Sequence, residues 1–165
     1  MPNFQQTAYM KKIVLPFLVL SASLSMSKTI YAQMNNPKTK ATLNHIAIYV
    51  VDLQKSRAFY ETVIGLDTIP EPFRDNKHTW FSIGPKSHLH LIQGAAAVTS
   101  HEKNNHLCFS VASVEEFVKR LEKYSVSYEN WTGEKNTITK RVDGVKQIYC
   151  KDPDGYWVEI NDAKE

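Results

Sequence analysis

The chain has 165 residues, of which 42% are hydrophobic and 22% charged, and this composition excludes a protein that is disordered throughout. Its formal net charge of +3 comes from the first 32 residues, which carry three lysines and no acidic residue. Residues 33–165 therefore hold equal numbers of basic and acidic side chains, which argues against a basic nucleic-acid-binding domain.

Residues 1–32 have the pattern of a secretory signal peptide. Lys11 and Lys12 precede a short apolar run at 13–20, and Ala32 lies at a plausible cleavage position. The apolar run is too short to cross a bilayer. We therefore expect an exported protein, periplasmic or secreted, that has no membrane association once the signal peptide is removed.

The rest of the N-terminal region is expected to contribute little to the fold. Met10 is a natural translation start directly before the two lysines. Residues 33–41 are polar and contain a proline, which is typical of a flexible tether. Regular hydrophobic patterning begins after them, so the predicted domain covers residues 42–162.

The first unit, residues 42–94, has the order β-α-β-β-β. Leu43–Val50 alternates like a half-buried strand. Asp52 is a natural N-cap and Gly65 a natural C-terminal residue for a helix of about three turns between them. Three shorter strands are predicted at Leu66–Ile69, Thr79–Ile83 and His88–Ile92.

The second unit, residues 104–162, repeats that order after a linker at Ala95–Asn104. A strand at His106–Val111 is followed by a capping-box sequence, S-x-x-E, that begins at Ser113 and opens a helix. The polar segment Thr132–Gly144 is expected to be a mobile loop. The other strands are predicted at Val126–Tyr128, Val145–Cys150 and Tyr156–Ile160.

The two units also begin with similar sequences, NHIAIYV at 44–50 and NHLCFSV at 105–111. We therefore predict an α+β fold in which two tandem βαβββ units form a curved sheet, or half-barrel, around a metal site. In each first strand the apolar positions face the helices, so the other side chains face the opposite side of the sheet.

That opposite side carries ligand-type residues at equivalent places in both units. If the first and last strands of a unit are neighbours, their side chains lie side by side. The residues are His45, His90, His106 and Glu159. Taken singly, each histidine would more often be a hydrogen-bonded core residue. Their repetition favours one divalent ion, such as Zn, Ni, Fe, Co or Mn, with positions left for water and substrate.

Other side chains of the same parity are candidates for a substrate pocket, although ordinary packing explains them equally well. They are Tyr49, His88, Cys108 and Trp157, with Trp80 as a further lining residue. His88 lies near a turn and is expected at the rim. His78 and His101 lie in loop-like sequence and are expected to be solvated.

The cysteines Cys108 and Cys150 have two possible states in an exported protein. They could form a disulfide. Each lies inside a strand-like run without turn residues. We therefore expect two free, buried thiols.

Two stretches, LNHIAIYVVDLQKSRAFYETVIGL and YCKDPDGYWVEI, resemble the vicinal oxygen chelate superfamily, which includes glyoxalases, bleomycin-resistance proteins and extradiol dioxygenases. The resemblance covers residues 42–162 and implies metal ligands on the first and last strands of each unit. Glyoxalase I members usually have Glu or Gln where this chain has His90. The set of His45, His106 and Glu159 matches fosfomycin-inactivating enzymes and extradiol dioxygenases, so it stays open whether His90 binds the ion.

The resemblance implies a divalent-metal-dependent, glyoxalase-like lyase or isomerase. It would act on a small oxygen-chelating substrate through a metal-stabilised enediolate or oxyanion. Glu159 is the only carboxylate of the set, so it would act both as ligand and as catalytic base. The alternatives are an extradiol-type dioxygenase and a transferase or binding protein of the fosfomycin- or bleomycin-resistance kind. We expect a homodimer, with the metal site either within one chain or shared between two copies.

Overall fold

The computed structural model describes residues 40–164, so the predicted signal peptide and most of the predicted tether lie outside the described residues. The fold is α+β, as predicted, with two mixed sheets. The first sheet has the strand order β1-β4-β3-β2, in which β1 and β4 are parallel. The elements of this half are β1 (His45–Val50), α1 (Leu53–Ala58) with a π-helical continuation (Phe59–Ile64), β2 (Thr68–Ile69), β3 (His78–Gly84) and β4 (Ser87–Gln93).

The second half repeats this arrangement, and β5 and β9 are again parallel neighbours. Its sheet has the order β5-β9-β8-β6, and β7 pairs with β8 beside that path. The elements are β5 (His106–Ser110), α2 (Val114–Lys123), β6 (Tyr128–Glu129), β7 (Thr139–Lys140), β8 (Lys146–Lys151) and β9 (Trp157–Asn161).

Part of the segment Thr132–Gly144 is ordered by sheet pairing, so the prediction of a mobile loop was wrong there. Thr139 pairs with Gln147, and Lys140 pairs with Lys146. Lys135 forms an isolated bridge earlier in the segment. A two-residue strand is too short to show the alternation that marks a strand in sequence.

Local capping signals begin and end the helices where the sequence predicts. Asp52 accepts hydrogen bonds from the backbone N–H groups at the start of α1, and Gly65 ends the helix with φ +90°. Ser113 accepts a bond from the N–H of Glu116, which is half of a capping box, because the Glu116 carboxylate pairs with Lys119 instead. The π-helical second half of the first helix was not predicted. A six-residue segment is too short for its hydrophobic period to distinguish a π-helix from an α-helix.

One hydrophobic core lies between the helices and one face of each sheet. On the first sheet it includes Ile48, Val50 and Leu89, and on the second it includes Val158 and Ile160. These are the positions that the alternation assigns to the helix side. The other face is called the histidine face below; it carries His45, His90 and Trp80 on the first sheet and His106, Glu159 and Tyr149 on the second.

The turn before β9 joins the second half to the helix of the first. Asp154 accepts a hydrogen bond from the N–H of Val51 at 2.7 Å and another from the Ser56 hydroxyl. Asp152 accepts a hydrogen bond from the Tyr60 hydroxyl at 2.9 Å. Burial raises the pKa of Asp152, and the bond from Tyr60 opposes that rise. The two halves are therefore held together by buried polar contacts as well as by the core.

The two cysteines are free. Cys150 is buried, as predicted, but Cys108 is exposed. It is the register partner of Glu159, so its side chain lies on the histidine face and away from the hydrophobic core. In the part of the chain that the structure describes, the helices are too short or too polar to cross a membrane.

Candidate metal centre

The first pair of candidate ligands, His45 and His90, lies on neighbouring strands of the first sheet. In the parallel register His90 is opposite Ala47. His45 lies two residues before Ala47 on the same face, so it is diagonal to His90. The two imidazole rings stack with their centroids 4.3 Å apart and their planes at 8°. The small side chain of Ala47 leaves room for this diagonal contact.

Both rings of this pair can offer a nitrogen lone pair. Nδ1 of His45 lies 2.8 Å from the amide oxygen of Asn44, which only accepts, so this nitrogen carries the proton and Nε2 is free. Nε2 of His90 is buried and has no hydrogen-bond partner among residues 40–164. Burial, with the neighbouring His45, His88 and His78, lowers the pKa of His90 to about 4, so its ring is neutral at pH 7. Neutral imidazole is the form that binds metals.

The second pair, His106 and Glu159, lies on β5 and β9. Nε2 of His106 is 3.0 Å from a carboxylate oxygen of Glu159. Nδ1 of His106 is 2.7 Å from the carbonyl oxygen of Lys103 and donates its proton there. In a neutral His106 ring, Nε2 then carries no proton, so both Nε2 and the Glu159 oxygen are acceptors. Their contact is favourable only with a proton or a cation between them.

Glu159 is held by donors on its own sheet. The Tyr149 hydroxyl donates to one carboxylate oxygen at 2.7 Å, and the Asn161 amide donates to the other at 2.9 Å. Burial by itself would raise the pKa of Glu159. The hydrogen bonds from Tyr149, Asn161 and Cys108, together with His106, outweigh burial and lower the pKa. The carboxylate is therefore ionised and has a fixed orientation.

Tyr149, Asn161 and Lys103 were not assigned to the site from the sequence. Tyr149 had a usable signal, because the alternation in Val145–Cys150 places it on the same face as the ligands. Burial, followed by the bond to Glu159, raises its pKa well above the ordinary value, so the hydroxyl keeps its proton. The carbonyl of Lys103 carries no sequence signal, since any residue has one.

Tyr149→Phe is expected to raise the pKa of Glu159 and to lower the free energy of unfolding by about 1–3 kcal/mol, since a charged acceptor loses a buried donor. The folded pKa lies below the ordinary value of 4.5, so ionised Glu159 stabilises the fold above that pH and the stabilisation is lost as the pH falls through the folded pKa. In the variant the folded pKa lies closer to 4.5, so this stabilisation is smaller and its loss is complete at a higher pH.

The measurement is carboxyl ¹³C NMR titration combined with urea unfolding between pH 3 and pH 7. Tyr128→Phe is the matched control, because Tyr128 pairs with Cys150 and lies on the opposite face of the sheet. An unchanged Glu159 titration in Tyr149→Phe would remove Tyr149 from the site.

The four candidate ligands form two separate pairs within one chain. Residues 40–164 contain no group of three or more His, Cys, Asp or Glu side chains placed to hold a metal ion together. The donor set nevertheless fits a divalent ion, since three imidazoles and one carboxylate suit metals of borderline softness. The unpartnered Nε2 of His90 and the acceptor pair at His106 and Glu159 are contacts that a cation would satisfy.

The residues predicted to line a substrate pocket differ in exposure. Tyr49 is 52% exposed on β1. His88 is half-buried, and its ring faces Trp80 at 6.1 Å. Cys108 is exposed beside Glu159, its register partner on β9. Trp157 is buried and lines, with Tyr149, a cavity of about 510 Å³.

His78 and His101 are half-buried and make specific contacts, so the expectation that both are solvated is met only in part. His78 begins β3, and its Nδ1 lies 2.9 Å from the Asp75 carboxylate. His101 stacks on Tyr156 at 3.9 Å, and its carbonyl accepts the indole N–H of Trp157 at 3.0 Å. These contacts depend on how the neighbouring segments fold, which sequence alternation does not report.

Comparison with known proteins shows which family the chain belongs to. The family model described as Glyoxalase/Bleomycin resistance protein/Dioxygenase superfamily matches residues 42–160. The chain is 27% identical over 131 residues to Glyoxylase I 4 of Arabidopsis thaliana, covering 76% of this chain and 72% of that protein. It is 26% identical over 161 residues to the lactoylglutathione lyase of Pseudomonas putida, covering 78% and 89%.

Solved structures share the fold. The fosfomycin resistance protein FosX from Listeria monocytogenes matches with a TM-score of 0.61 and 22% identity, over 76% of this chain and 96% of that one. Oxidase ChaP-H2 matches with a TM-score of 0.63 and 21% identity, over the same shares. The family resemblance predicted from the two sequence motifs is confirmed. The chain belongs to the glyoxalase/bleomycin resistance protein/dioxygenase superfamily, whose fold is that of the vicinal oxygen chelate proteins.

Proposed function

We propose that this chain is a divalent-metal-dependent lyase or isomerase of the glyoxalase kind, acting on a small substrate with two neighbouring oxygens. The observation that carries the proposal is the duplicated donor set on equivalent parallel strands, in which the buried Nε2 of His90 has no hydrogen-bond partner among residues 40–164. Two relatives named lactoylglutathione lyase, 26% and 29% identical to this chain, support a lyase reaction.

His45, His106 and Glu159 would hold the ion, and His90 is placed to join them. A bound divalent ion would stabilise negative charge that develops on a substrate oxygen. Glu159 would move a proton at the substrate carbon next to the carbonyl, since it is ionised and is the only carboxylate of the set. Tyr149 and Asn161 would keep its oxygens in place through their hydrogen bonds.

We further propose that the centre is shared between two copies in a homodimer. Each chain presents His45 and His90 on one sheet and His106 and Glu159 on the other, and the pairs lie apart. A two-fold axis would bring the first pair of one copy against the second pair of the other, giving two equivalent centres. The exposure of β1 and β5 side chains on the histidine face supports this arrangement.

The proposed enzyme is exported, in keeping with the pattern of residues 1–32. Glutathione is a cytosolic thiol, so export favours a substrate other than a glutathione conjugate. A protease-protection assay on whole cells that express the full chain tests this. Protection identical to that of a cytosolic marker, before and after permeabilising the outer layer, would contradict export.

The shared centre is tested by mixing two variants, His45→Ala and His106→Ala, after joint unfolding and refolding. Each alone is expected to lose bound metal in elemental analysis. With random pairing, half of the dimers are mixed and each restores one of two centres, so metal content should recover to about one-quarter of wild type.

Two controls complete the test. Mixing His106→Ala with Glu159→Gln should restore nothing, because both changes affect the same pair. Wild-type protein carried through the same refolding sets the reference metal content. No recovery in the first mixture, with a metal-loaded monomer by light scattering, would place the centre within one chain. A wild-type protein that binds no divalent ion would overturn the proposal itself.

A ring-cleaving dioxygenase is the second candidate, because His45, His106 and Glu159 form the two-histidine, one-carboxylate set that suits non-haem iron. It predicts oxygen consumption with catechol and Fe(II). The glyoxalase-like reaction instead predicts exchange of the proton next to the carbonyl of an α-hydroxyketone in D₂O, without oxygen uptake.

A further inference from the structure

The middle of the histidine face on the first sheet is built from parallel rings. Trp80 on β3 and His90 on β4 are register partners, and their rings stack at 3.9 Å with planes 2° apart. The stack continues to His45 on β1. The Trp80 indole therefore stacks directly on one candidate metal ligand of this half, His90, and lies one ring away from the other, His45.

The indole nitrogen of Trp80 is a second unpartnered polar atom in this stack. Nε1 is buried and has no hydrogen-bond partner among the described residues. Buried N–H groups in folded proteins are nearly always paired, so an orphan of this kind needs an acceptor. By contrast, the buried indole of Trp157 donates to the carbonyl of His101. Packing against His90 accounts for the position of the Trp80 ring, but it gives the indole N–H no hydrogen-bond acceptor.

The surroundings of Trp80 are uncharged and aromatic. Strands β1 to β4 contain no Asp, Glu, Lys or Arg in their described spans. Phe73 extends the aromatic surface, since its ring meets Trp80 edge-on at 6.0 Å and is tilted against His78 at 4.6 Å. Phe73 is 58% exposed, so this surface is open on one side. A planar, unsaturated group would find apolar area and ring faces here, and no lysine or arginine on these strands.

We propose that Trp80 forms a recognition subsite for a flat, uncharged, unsaturated part of the substrate, in which its indole N–H donates a hydrogen bond to a substrate oxygen. This inference rests on the proposed function, because it places the subsite beside His45 and His90. It names the substrate class as aromatic or conjugated α-oxygenated carbonyl compounds. Carboxylate-rich thiol conjugates are disfavoured, because this sheet offers their charges no partner.

Three probes separate the parts of this inference. 2-Hydroxyacetophenone and hydroxyacetone are both neutral and have neighbouring oxygens, and they differ in a phenyl against a methyl group. Mandelate keeps the phenyl group but adds a carboxylate. With EDTA present, so that no metal ion binds the mandelate carboxylate, the first is expected to bind at least tenfold more tightly than either of the others, because only it is both flat and uncharged.

Indole NMR reports the hydrogen bond directly. The chain has three tryptophans, so the ¹H–¹⁵N spectrum of the full protein has three indole signals, and Trp80→Phe and Trp131→Phe assign two of them. Adding 2-hydroxyacetophenone should move the Trp80 indole proton downfield.

Affinity gives the matched test. Trp80→Phe keeps an aromatic ring and removes the N–H, and it should weaken 2-hydroxyacetophenone binding by about fivefold, as expected for one neutral hydrogen bond. Tyr124→Phe, at the exposed C-terminal end of α2, should leave the affinity within twofold. Urea unfolding of both variants checks that each is folded, and the unliganded spectrum provides the same check.

The outcomes distinguish this inference from the proposed function. A Trp80 signal that stays in place while the probe binds, or equal affinity in Trp80→Phe, overturns the subsite even in a metal-loaded enzyme. A downfield shift that persists with EDTA present supports the subsite even if elemental analysis finds no divalent ion. Tighter binding of mandelate or hydroxyacetone than of 2-hydroxyacetophenone overturns the substrate class.

Discussion

Glu159→Gln is expected to slow proton exchange in 2-hydroxyacetophenone by about 10²–10⁴-fold, the usual contribution of a positioned general base. The amide keeps the size of the carboxylate and can still accept from Tyr149 or Asn161, but it has no negative charge and a negligible proton affinity. The same change removes the one anionic donor of the set, so metal binding should also weaken. Deuterium incorporation followed by ¹H NMR measures the rate, and elemental analysis measures the metal.

A matched control isolates the effect of the site. Glu115→Gln removes a carboxylate that pairs with Lys146 on the surface, and its activity is expected to stay within twofold of wild type. Added divalent ion should raise the melting temperature of wild type and of Glu115→Gln, but not of Glu159→Gln, because only protein that binds the ion is stabilised by it. Unchanged exchange in Glu159→Gln would remove this residue from the chemistry.

Gly155→Ala is expected to lower the free energy of unfolding by about 2–5 kcal/mol. Gly155 has φ +89°, where an L-residue loses about 1–2 kcal/mol. A methyl group there would lie 2.3 Å from the carbonyl oxygen of Thr99, and such overpacking costs about 1–3 kcal/mol more. The clash matters because this turn carries Asp152 and Asp154, which hold the two halves together.

Gly144→Ala separates the two contributions. Gly144 has φ +91°, but a methyl group there would meet no atom within 4 Å. It should therefore lose only the backbone part, about 1–2 kcal/mol. Urea unfolding of both variants gives the comparison. Equal losses would show that the linker at Thr99 moves aside and that its packing on the turn is not needed for stability.

The amino-acid sequence by itself determined the duplicated βαβββ order, the main helix caps and the family. Asp52, Gly65 and Ser113 act on neighbouring backbone groups, so their effects are local and visible in a short window. Alternation likewise assigns each strand residue to one of two faces, because its period is two. These signals were sufficient to place His45 and Glu159 on the correct face of their strands.

Only the tertiary structure decided which residues meet. Alternation does not report which strands are neighbours, so the parallel pairing of β1 with β4 and the donation from Tyr149 to Glu159 emerge only from long-range contacts. The same holds for the exposure of Cys108 and for the unpartnered indole of Trp80. The sequence also could not predict that the two ligand pairs lie apart within one chain. The position of one sheet relative to another depends on packing between distant segments, which local propensity does not encode.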